Sequence, residues 1–467
     1  MVTPSEHGGV PGQYIVRFRD DVEDPEKIAR GLVHNSDLLY VYSHAIKGFA
    51  ARLPRQAAEA ISKRADVEYV AQDEELTLEM ISHSASVPSA WALSRVSNRT
   101  RVLSEPFEYL HSGSNVNVYV VDSGIRGTHQ EFSGRTGQGW TYTTDHPAWS
   151  DCTGHGTMVA SAAVGSTTGV ALNARLHSVR VFGCQWTTYS SRINAGLDWI
   201  KANHVKPAIV NLSLGKEVDW WNPASWITTD DAVQALIDDG VTVVVAAGNS
   251  GENACGYAPA RVPEAITVAA SDYNDYPSVW TSGSTNYGEC VDLFGPGSAV
   301  RAATLSGNST YTNGFAGTSA AAPYVAGTAA AMLSAESTAT PDRVHSILTL
   351  SSTKNSIQNV SLTPNQLLYS PFTTSSISGP GTVITAGTYQ WSARTSGGNG
   401  SQSYTWHRSD NGGQWYAVST TSTYSGYIGD TAPSFRLRLT INYGISSEVS
   451  SDHQVTYDPP DCGRTRC

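Results

Sequence analysis

At 467 residues the chain has room for about three domains of roughly 150 residues each. Charged residues make up 15% of it, below the usual ~25%, and the formal net charge is −11. That balance repels phosphate backbones, no block of Lys or Arg suits a membrane surface, and no apolar run is long enough to span a bilayer. Neither a nucleic-acid nor a membrane partner is expected.

The first residues, "MVTPSEHGGVPGQ", hold no apolar signal-peptide core. Six cysteines, Cys152, Cys184, Cys255, Cys290, Cys462 and Cys467, are even in number, widely spaced and free of any C-x-x-C pair. They read as disulfides of a secreted, extracellular protein; buried free thiols are the alternative that remains open.

Residues 12–80 form a unit with its own pattern. "GQYIVRF" alternates like a strand, and "HAIKGFAARL" and "VEYVAQDEEL" read as further strands. "DPEKIARGLV" and "LPRQAAEAISKRA" carry apolar residues three and four apart, as helices do. Strand–helix–strand–strand–helix–strand is the ferredoxin-like α+β plan. A polar linker, "EMISHSASVPSA", follows. Residues 84–372 then read as an α/β domain. Its strands are "VNVYVVD", "LHSVRVF", "AIVNLSLG", "VTVVVAAGN" and "AITVAASD"; its helices are "GHGTMVASAAVG", "SSRINAGLDWIKAN" and "TDDAVQALIDDG". Near-continuous Val and Ile suit a doubly wound parallel sheet covered on both faces, with functional groups at the carboxyl ends of its strands. Asp122 is expected to end the first of these strands and Asn249 the fourth.

Past the linker "TTSSISGPG", residues 376–458 alternate as short strands around a "DNGG" hairpin signal. They predict a small β-sandwich of immunoglobulin-like type. Its aromatics Tyr389, Trp391, Trp406, Trp415 and Tyr416 are either sandwich core or a binding face. Residues 459–467 are a tail whose "CGRTRC" is able to close a disulfide loop.

Three stretches bring acid, base and nucleophile together in the order Asp, His, Ser. They are "VYVVDSGIRGTHQEF" with Asp122, "DCTGHGTMVAS" with His155, and "GTSAAAPYVAG" with Ser319. An imidazole takes a proton from a hydroxyl when a buried acceptor fixes its tautomer and stabilises its charged form. A fourth stretch, "VVVAAGNSG", supplies Asn249, whose amide suits an oxyanion. Each residue has a plainer reading: an Asx turn for Asp122, a helix start for His155 and Ser319, a turn for Asn249. The four together, at strand and helix ends, point to acyl transfer. Ser319 lacks the second glycine of G-x-S-x-G, which disfavours an esterase or lipase.

On "DSGIRGTHQEF", "GHGT", "NLSLG", "AAGN", "GTSAAAP" and "TPNQLLYS" the chain resembles the subtilisin-like serine proteases (subtilases), in the proteinase K and aqualysin branch. "YIVRF", "YSHAIKGFAARL" and "DVEYVAQD" resemble that family's inhibitory propeptide. The resemblance implies a subtilisin-like α/β fold. It makes Asp122, His155 and Ser319 the triad, with Asn249 and the Ser319 N–H as oxyanion donors. Ser213, Leu214 and Gly215 become the strand that pairs with an extended peptide. Ala246, Ala247, Gly248 and Tyr257 become walls of the main specificity pocket, small and without buried charge, hence favouring apolar or aromatic side chains. It also implies disulfides Cys152–Cys184 and Cys255–Cys290, no organic cofactor, and a structural Ca²⁺ on the carbonyls of Pro263 and Ala265 and the carboxylate of Asp292.

The function so implied is a secreted serine endopeptidase, monomeric, acting on polypeptides and made as a zymogen inhibited by its own propeptide. Self-cleavage is expected within "ISHSAS", Ile81 to Ser86, after His83. The alternative is a catalytically inactive homologue that binds peptides or a surface ligand through residues 376–458. Two positions depart from the family pattern: Met158 stands where a second histidine is usual, and Ala320 stands where Met usually follows the nucleophile.

Overall fold

The computed structural model describes residues 2–3, 8–105, 107, 111–218 and 226–370. Further on it describes 374–378, 382–383, 387–396, 403–410, 414–428, 434–442 and 448–457. The chain divides into two compact units, residues 1–345 with 355–370, and 346–354 with 371–467.

The first unit opens with β1 (Gly9–Phe18), α1 (Pro25–Leu32), β2 (Leu38–Tyr42), β3 (Gly48–Arg52), α2 (Arg55–Ile61) and β4 (Val67–Thr77). These strands form an antiparallel sheet in the order β4-β1-β3-β2. Asp24 caps α1, accepting the Lys27 N–H at 2.9 Å, and Pro25 opens it with a φ already suited to a helix. Neighbouring residues of β1 take opposite faces of the sheet. Tyr14, Val16 and Phe18 pack with Ala29, Phe49 and Ile61 under the two helices, whereas Ile15 packs with Tyr42, Ala50 and residues of the following domain. The small sheet is thus apolar on both faces and needs a partner for one of them.

Then come β5 (Ile81–Ser82), β6 (Asn117–Asp122), β7 (Thr136–Thr141), α3 (His155–Val164), β8 (Arg175–Arg180), β9 (Thr187–Tyr189), α4 (Ser190–Asn203) and β10 (Ala208–Leu212). After these follow α5 (Ile227–Asp238), β11 (Thr242–Ala246), β12 (Ile266–Ser271), β13 (Leu293–Pro296), β14 (Tyr311–Ala316), α6 (Thr318–Ala335) and β15 (Gln366–Leu367). Parallel pairings order the main sheet β15-β13-β12-β11-β10-β6-β8-β7. On one face Tyr119, Val121, Val210, Val243 and Val245 pack with Ile193, Leu197 and Leu236 of α4 and α5. Helix α6 packs on β10 to β13 and on α3 without joining that cluster, so it covers the other face. This is the doubly wound sheet read from the Val and Ile runs. Asp122 ends β6 as expected. Asn249 does not end its strand: β11 stops at Ala246, and Asn249 sits in the loop three residues on.

The second unit holds β16 (Thr374–Ser378), β17 (Thr382–Val383), β18 (Gly387–Ser396), β19 (Ser403–Asp410), β20 (Tyr416–Ser419), β21 (Thr423–Ile428), β22 (Ser434–Asn442) and β23 (Glu448–Tyr457). Sheets β16-β18-β21 and β17-β23-β22-β19-β20 share a core of Trp391, Trp406, Tyr424, Phe435, Leu437, Leu439 and Val455. Strands β16, β17 and β21 were not anticipated from the sequence, and β16 occupies residues 374–378 of "TTSSISGPG", the stretch read as a linker. The aromatic set divides: Trp391 and Trp406 are core, Tyr389 packs against it, and Tyr416 is exposed. Trp415 lies beneath the guanidinium groups of Arg436 and Arg438, 5.3 and 4.4 Å from its ring centre. The "NGG" of the hairpin signal and both Cys462 and Cys467 lie outside the described residues.

Candidate active site

Asp122 comes from the end of a strand, and His155 and Ser319 from the starts of two helices. Asp122 is buried at the end of β6, and its Oδ1 accepts the Ser123 N–H at 2.7 Å. His155 begins α3, fully buried, with Nδ1 2.9 Å from both Asp122 oxygens. Nδ1 therefore donates to the carboxylate and leaves the Nε2 lone pair for another group. Nε2 is buried and has no hydrogen-bond partner among the described residues. The Phe315 ring meets the imidazole edge-on, with centroids 5.9 Å apart.

Close packing dictates the small residues here. A Cβ on Gly156 would stand 2.2 Å from the Gly124 carbonyl oxygen and 3.1 Å from the Asp122 Cβ, so only glycine lets α3 start this near Asp122. Ser319 sits in the first turn of α6, behind Gly317 at φ +103°. Its Oγ donates to the Ser213 carbonyl at 3.2 Å. The hydroxyl thus rests on the Ser213 carbonyl rather than on His155, and catalytic hydrogen bonds are often loose where no substrate is bound. Asn249 Oδ1 accepts from both the N–H and the Oγ1 of Thr318, each at 2.9 Å. With its carbonyl anchored, the Asn249 amide is oriented by its two donors and offers Nδ2 as a further donor beside Ser319. The Ser319 N–H belongs to the first helical turn, where no intrahelical acceptor exists.

Sequence reasoning missed the groups that brace these residues. Asp151 is half-buried and accepts from Ser123 Oγ, the N–H groups of Thr153, Gly154 and Thr157, and Thr157 Oγ1. Burial pushes its pKa up, and the bonds to Thr157 and Gly154 oppose that. It serves as an anionic cap for α3; an acid ahead of the "GHGT" helix start was the available signal. Arg180 donates to the Ser150 carbonyl and to Cys152 Sγ, holding the same loop. Cys152 is bonded to Cys184, and Cys255 to Cys290.

A cleft of 660 Å³ runs past Ser319 and Asn249. It is lined by Ser213, Leu214, Gly215, Ala246, Gly248 and Tyr257. Ala247 is not brought to it: its side chain packs in a separate cluster with Ala254, Ala269 and Phe294, because neighbouring residues alternate in direction. The Tyr257 hydroxyl donates to the exposed Glu252 at 2.7 Å, and burial raises its pKa further.

The cleft is occupied on one side by the chain itself. Residues Glu75 to Glu79 line it, and β4 pairs antiparallel with β9, Leu76 opposite Thr188 and Thr77 opposite Thr187. Two polar anchors hold the N-terminal sheet on α4. Asp73 accepts from Ser190 Oγ at 2.8 Å and from Ser191 N and Oγ at 2.9 and 2.6 Å, at a helix start whose own N-cap, Tyr189, has no capping side chain. Burial pushes the Asp73 pKa up while these bonds pull it back. In return, Asp198 of α4 accepts the N–H groups of Ser43, His44 and Ala45.

The calcium expectation fares differently. Asp292 Oδ2 accepts the Thr267 N–H at 2.8 Å, and Oδ1 lies 2.9 Å from His345 Nε2, whose pKa the carboxylate raises. Calcium asks for about six to eight oxygens. A single carboxylate whose two oxygens are already engaged by an N–H and an imidazole does not fit that ion. The set Pro263, Ala265 and Asp292 is therefore not carried forward as a metal site. His345 is distant in sequence, and no motif announced it.

Fold and site together define a serine protease of the α/β type. Residues 113–367 match the subtilase family and residues 13–79 the peptidase inhibitor I9 family, and the chain belongs to the subtilases. It is 42% identical over 333 residues to an extracellular serine proteinase of Thermus sp. (strain Rt41A), covering 71% of this chain and 77% of that one. It is 36% identical over 332 residues to alkaline serine exoprotease A of Vibrio alginolyticus, covering 71% and 60%. A crystal structure of a cold adapted subtilisin-like serine proteinase superposes with a TM-score of 0.56 at 36% identity, over 61% of this chain and 99% of that one.

Proposed function

We propose that this subtilase is a secreted endopeptidase that processes its own zymogen. The observation that carries the reading is an imidazole clamped through Nδ1 on Asp122, with a buried, unpartnered Nε2, beside a serine at a helix start. Ser319 Oγ turns from the Ser213 carbonyl, passes its proton to His155 Nε2 and attacks a peptide carbonyl. Asn249 Nδ2 and the Ser319 N–H receive the oxyanion, a donor such as Asn249 being worth about 3–4 kcal/mol of barrier. His155 then gives the proton to the leaving amine, and water hydrolyses the acyl-enzyme. Substrates lie extended along Ser213, Leu214 and Gly215, in the cleft that the chain's own residues 75–79 also line. Small walls at Ala246 and Gly248 favour apolar or aromatic side chains.

In this reading residues 12–80 are the inhibitory propeptide, 84–372 the catalytic domain, 376–458 a β-sandwich and 459–467 a tail. The propeptide's double-faced sheet supports the first assignment, since it loses one partner on release. Two disulfides and the extracellular relatives support export. The test is Ser319→Ala: it should stay a single full-length chain and take no label from a serine-directed phosphonate. A variant that still matures by itself refutes Ser319 as the nucleophile.

A further inference from the structure

Resting on that reading, we propose that the first self-cleavage breaks the Glu79–Met80 bond, upstream of the window Ile81 to Ser86. The chain crosses the cleft in two antiparallel runs with different partners. Upstream, Glu75, Leu76 and Thr77 pair with Tyr189, Thr188 and Thr187, and the Leu78 N–H continues the ladder to the Trp186 carbonyl at 2.6 Å. Downstream, Ile81 pairs with Ala316 and Ser82 with Phe315, and the His83 N–H reaches the Gly314 carbonyl at 3.0 Å. The upstream partner strand, β9, pairs with residues that line the cleft; the downstream one, β14, runs directly into Gly317 and Ser319.

Only Glu79 and Met80 lie between the two ladders. Both are exposed, whereas their neighbours Leu76, Leu78 and Ile81 are buried at 6, 6 and 7%. Buried apolar residues on each side anchor the crossing and leave the middle bond free of ladder contacts. Glu79 lines the same cleft as Asn249, Thr318 and Ser319. On the far side, a Cβ on Gly317 would sit 3.4 Å from Ile81 Cδ1 and 3.5 Å from Asn249 Oδ1. The oxyanion donors are therefore flanked by Glu79 before them and Ile81 after them, and the carbonyl offered to Ser319 is that of Glu79. Residues 81–83 are committed to β14, so the bond after His83 is held past the nucleophile.

The Glu79 side chain is solvated at the rim, so an acidic residue here does not contradict an apolar pocket. A tethered substrate reacts from its bound position, without needing affinity from that side chain. Ser319 Oγ bonds to the Glu79 carbonyl carbon and its proton passes through His155 to the Met80 nitrogen as the C–N bond breaks. Water then releases Glu79 as a free carboxylate and restores Ser319. The product stays in place through the β4–β9 ladder and the Asp73 and Asp198 anchors, and remains an inhibitor.

The full chain is followed by intact mass and by sequencing of both new ends at the earliest detectable cut. A fragment ending at Glu79 with a partner starting at Met80 is expected. Met80→Pro removes the N–H at the bond and fixes φ, and should slow the first cut by about 10²-fold. Ser84→Pro should leave its rate and position unchanged. A Ser319-dependent cut after His83, or anywhere within 81–86, overturns this inference and leaves the protease reading standing. No cut at all in the unmodified chain overturns both.

Discussion

Removing the Asp73 carboxylate should loosen the propeptide without touching the catalytic groups. In the uncut chain Asp73 lies fully buried and bonds Ser190 Oγ, Ser191 N and Ser191 Oγ across the interface, with the Glu74 N–H as a local fourth donor. It sits at the start of α4, where Tyr189 offers no cap of its own. Hydrogen bonds to a charged group are each worth about 1.5–3 kcal/mol, and a lost N-cap costs about 1. The hydroxyls of Ser190 and Ser191 can turn to water or to each other after the change, which returns part of that sum. A net loss of about 3 kcal/mol remains, or some 10²-fold in Kd. The assay is the processed, non-covalent complex: dilution releases the propeptide, and recovery of activity on a chromogenic peptide gives Kd. Asp73→Ala should weaken binding by that factor, and Asp73→Asn, which still accepts the Ser191 N–H, by less. A Kd for Asp73→Ala within threefold of the unmodified protein would refute the cap as an anchor.

Acid sensitivity should come partly from His177. It is buried against Asn117 and Gln138, and burial, then Arg175, lowers its pKa to about 4. Its folded pKa lies below the usual 6.5, so the unfolded chain binds the extra proton between the two values, and stability falls as pH drops through that window, by about 3 kcal/mol. In a Ser319→Ala background, which prevents self-digestion, His177→Gln should flatten the unfolding curve between pH 6.5 and 4; an unchanged slope counts against it. Peroxide resistance is the remaining expectation. Ala320 puts no thioether beside Ser319, and Met158 and Met332 are buried, so brief mild peroxide should leave most activity intact. Ala320→Met should become sensitive under the same treatment, and equal loss in both proteins would sink the idea.

The chemistry-bearing residues were legible because they sit where local physics is strict. Asp122 closes a Val-rich strand, His155 and Ser319 open helices behind glycines, and Asn249 follows a buried strand, so pattern and punctuation mark all four. The twofold alternation of β1 also read correctly as a strand. It did not reveal that both of its faces are buried, because periodicity reports that a face is apolar and not what covers it. Contacts between distant segments escaped for the same reason. His345 on Asp292, Asp73 at the start of α4 and Thr318 on Asn249 are ordinary polar residues whose partners only the folded chain supplies. Ala247 went wrong in the opposite sense, since "AAG" specifies a small-walled turn and the backbone alone decides which methyl faces the cleft. The linker "EMISHSASVPSA" looked featureless by itself; the ladders just before it and at its start, on either side of Glu79 and Met80, exist only in the folded chain.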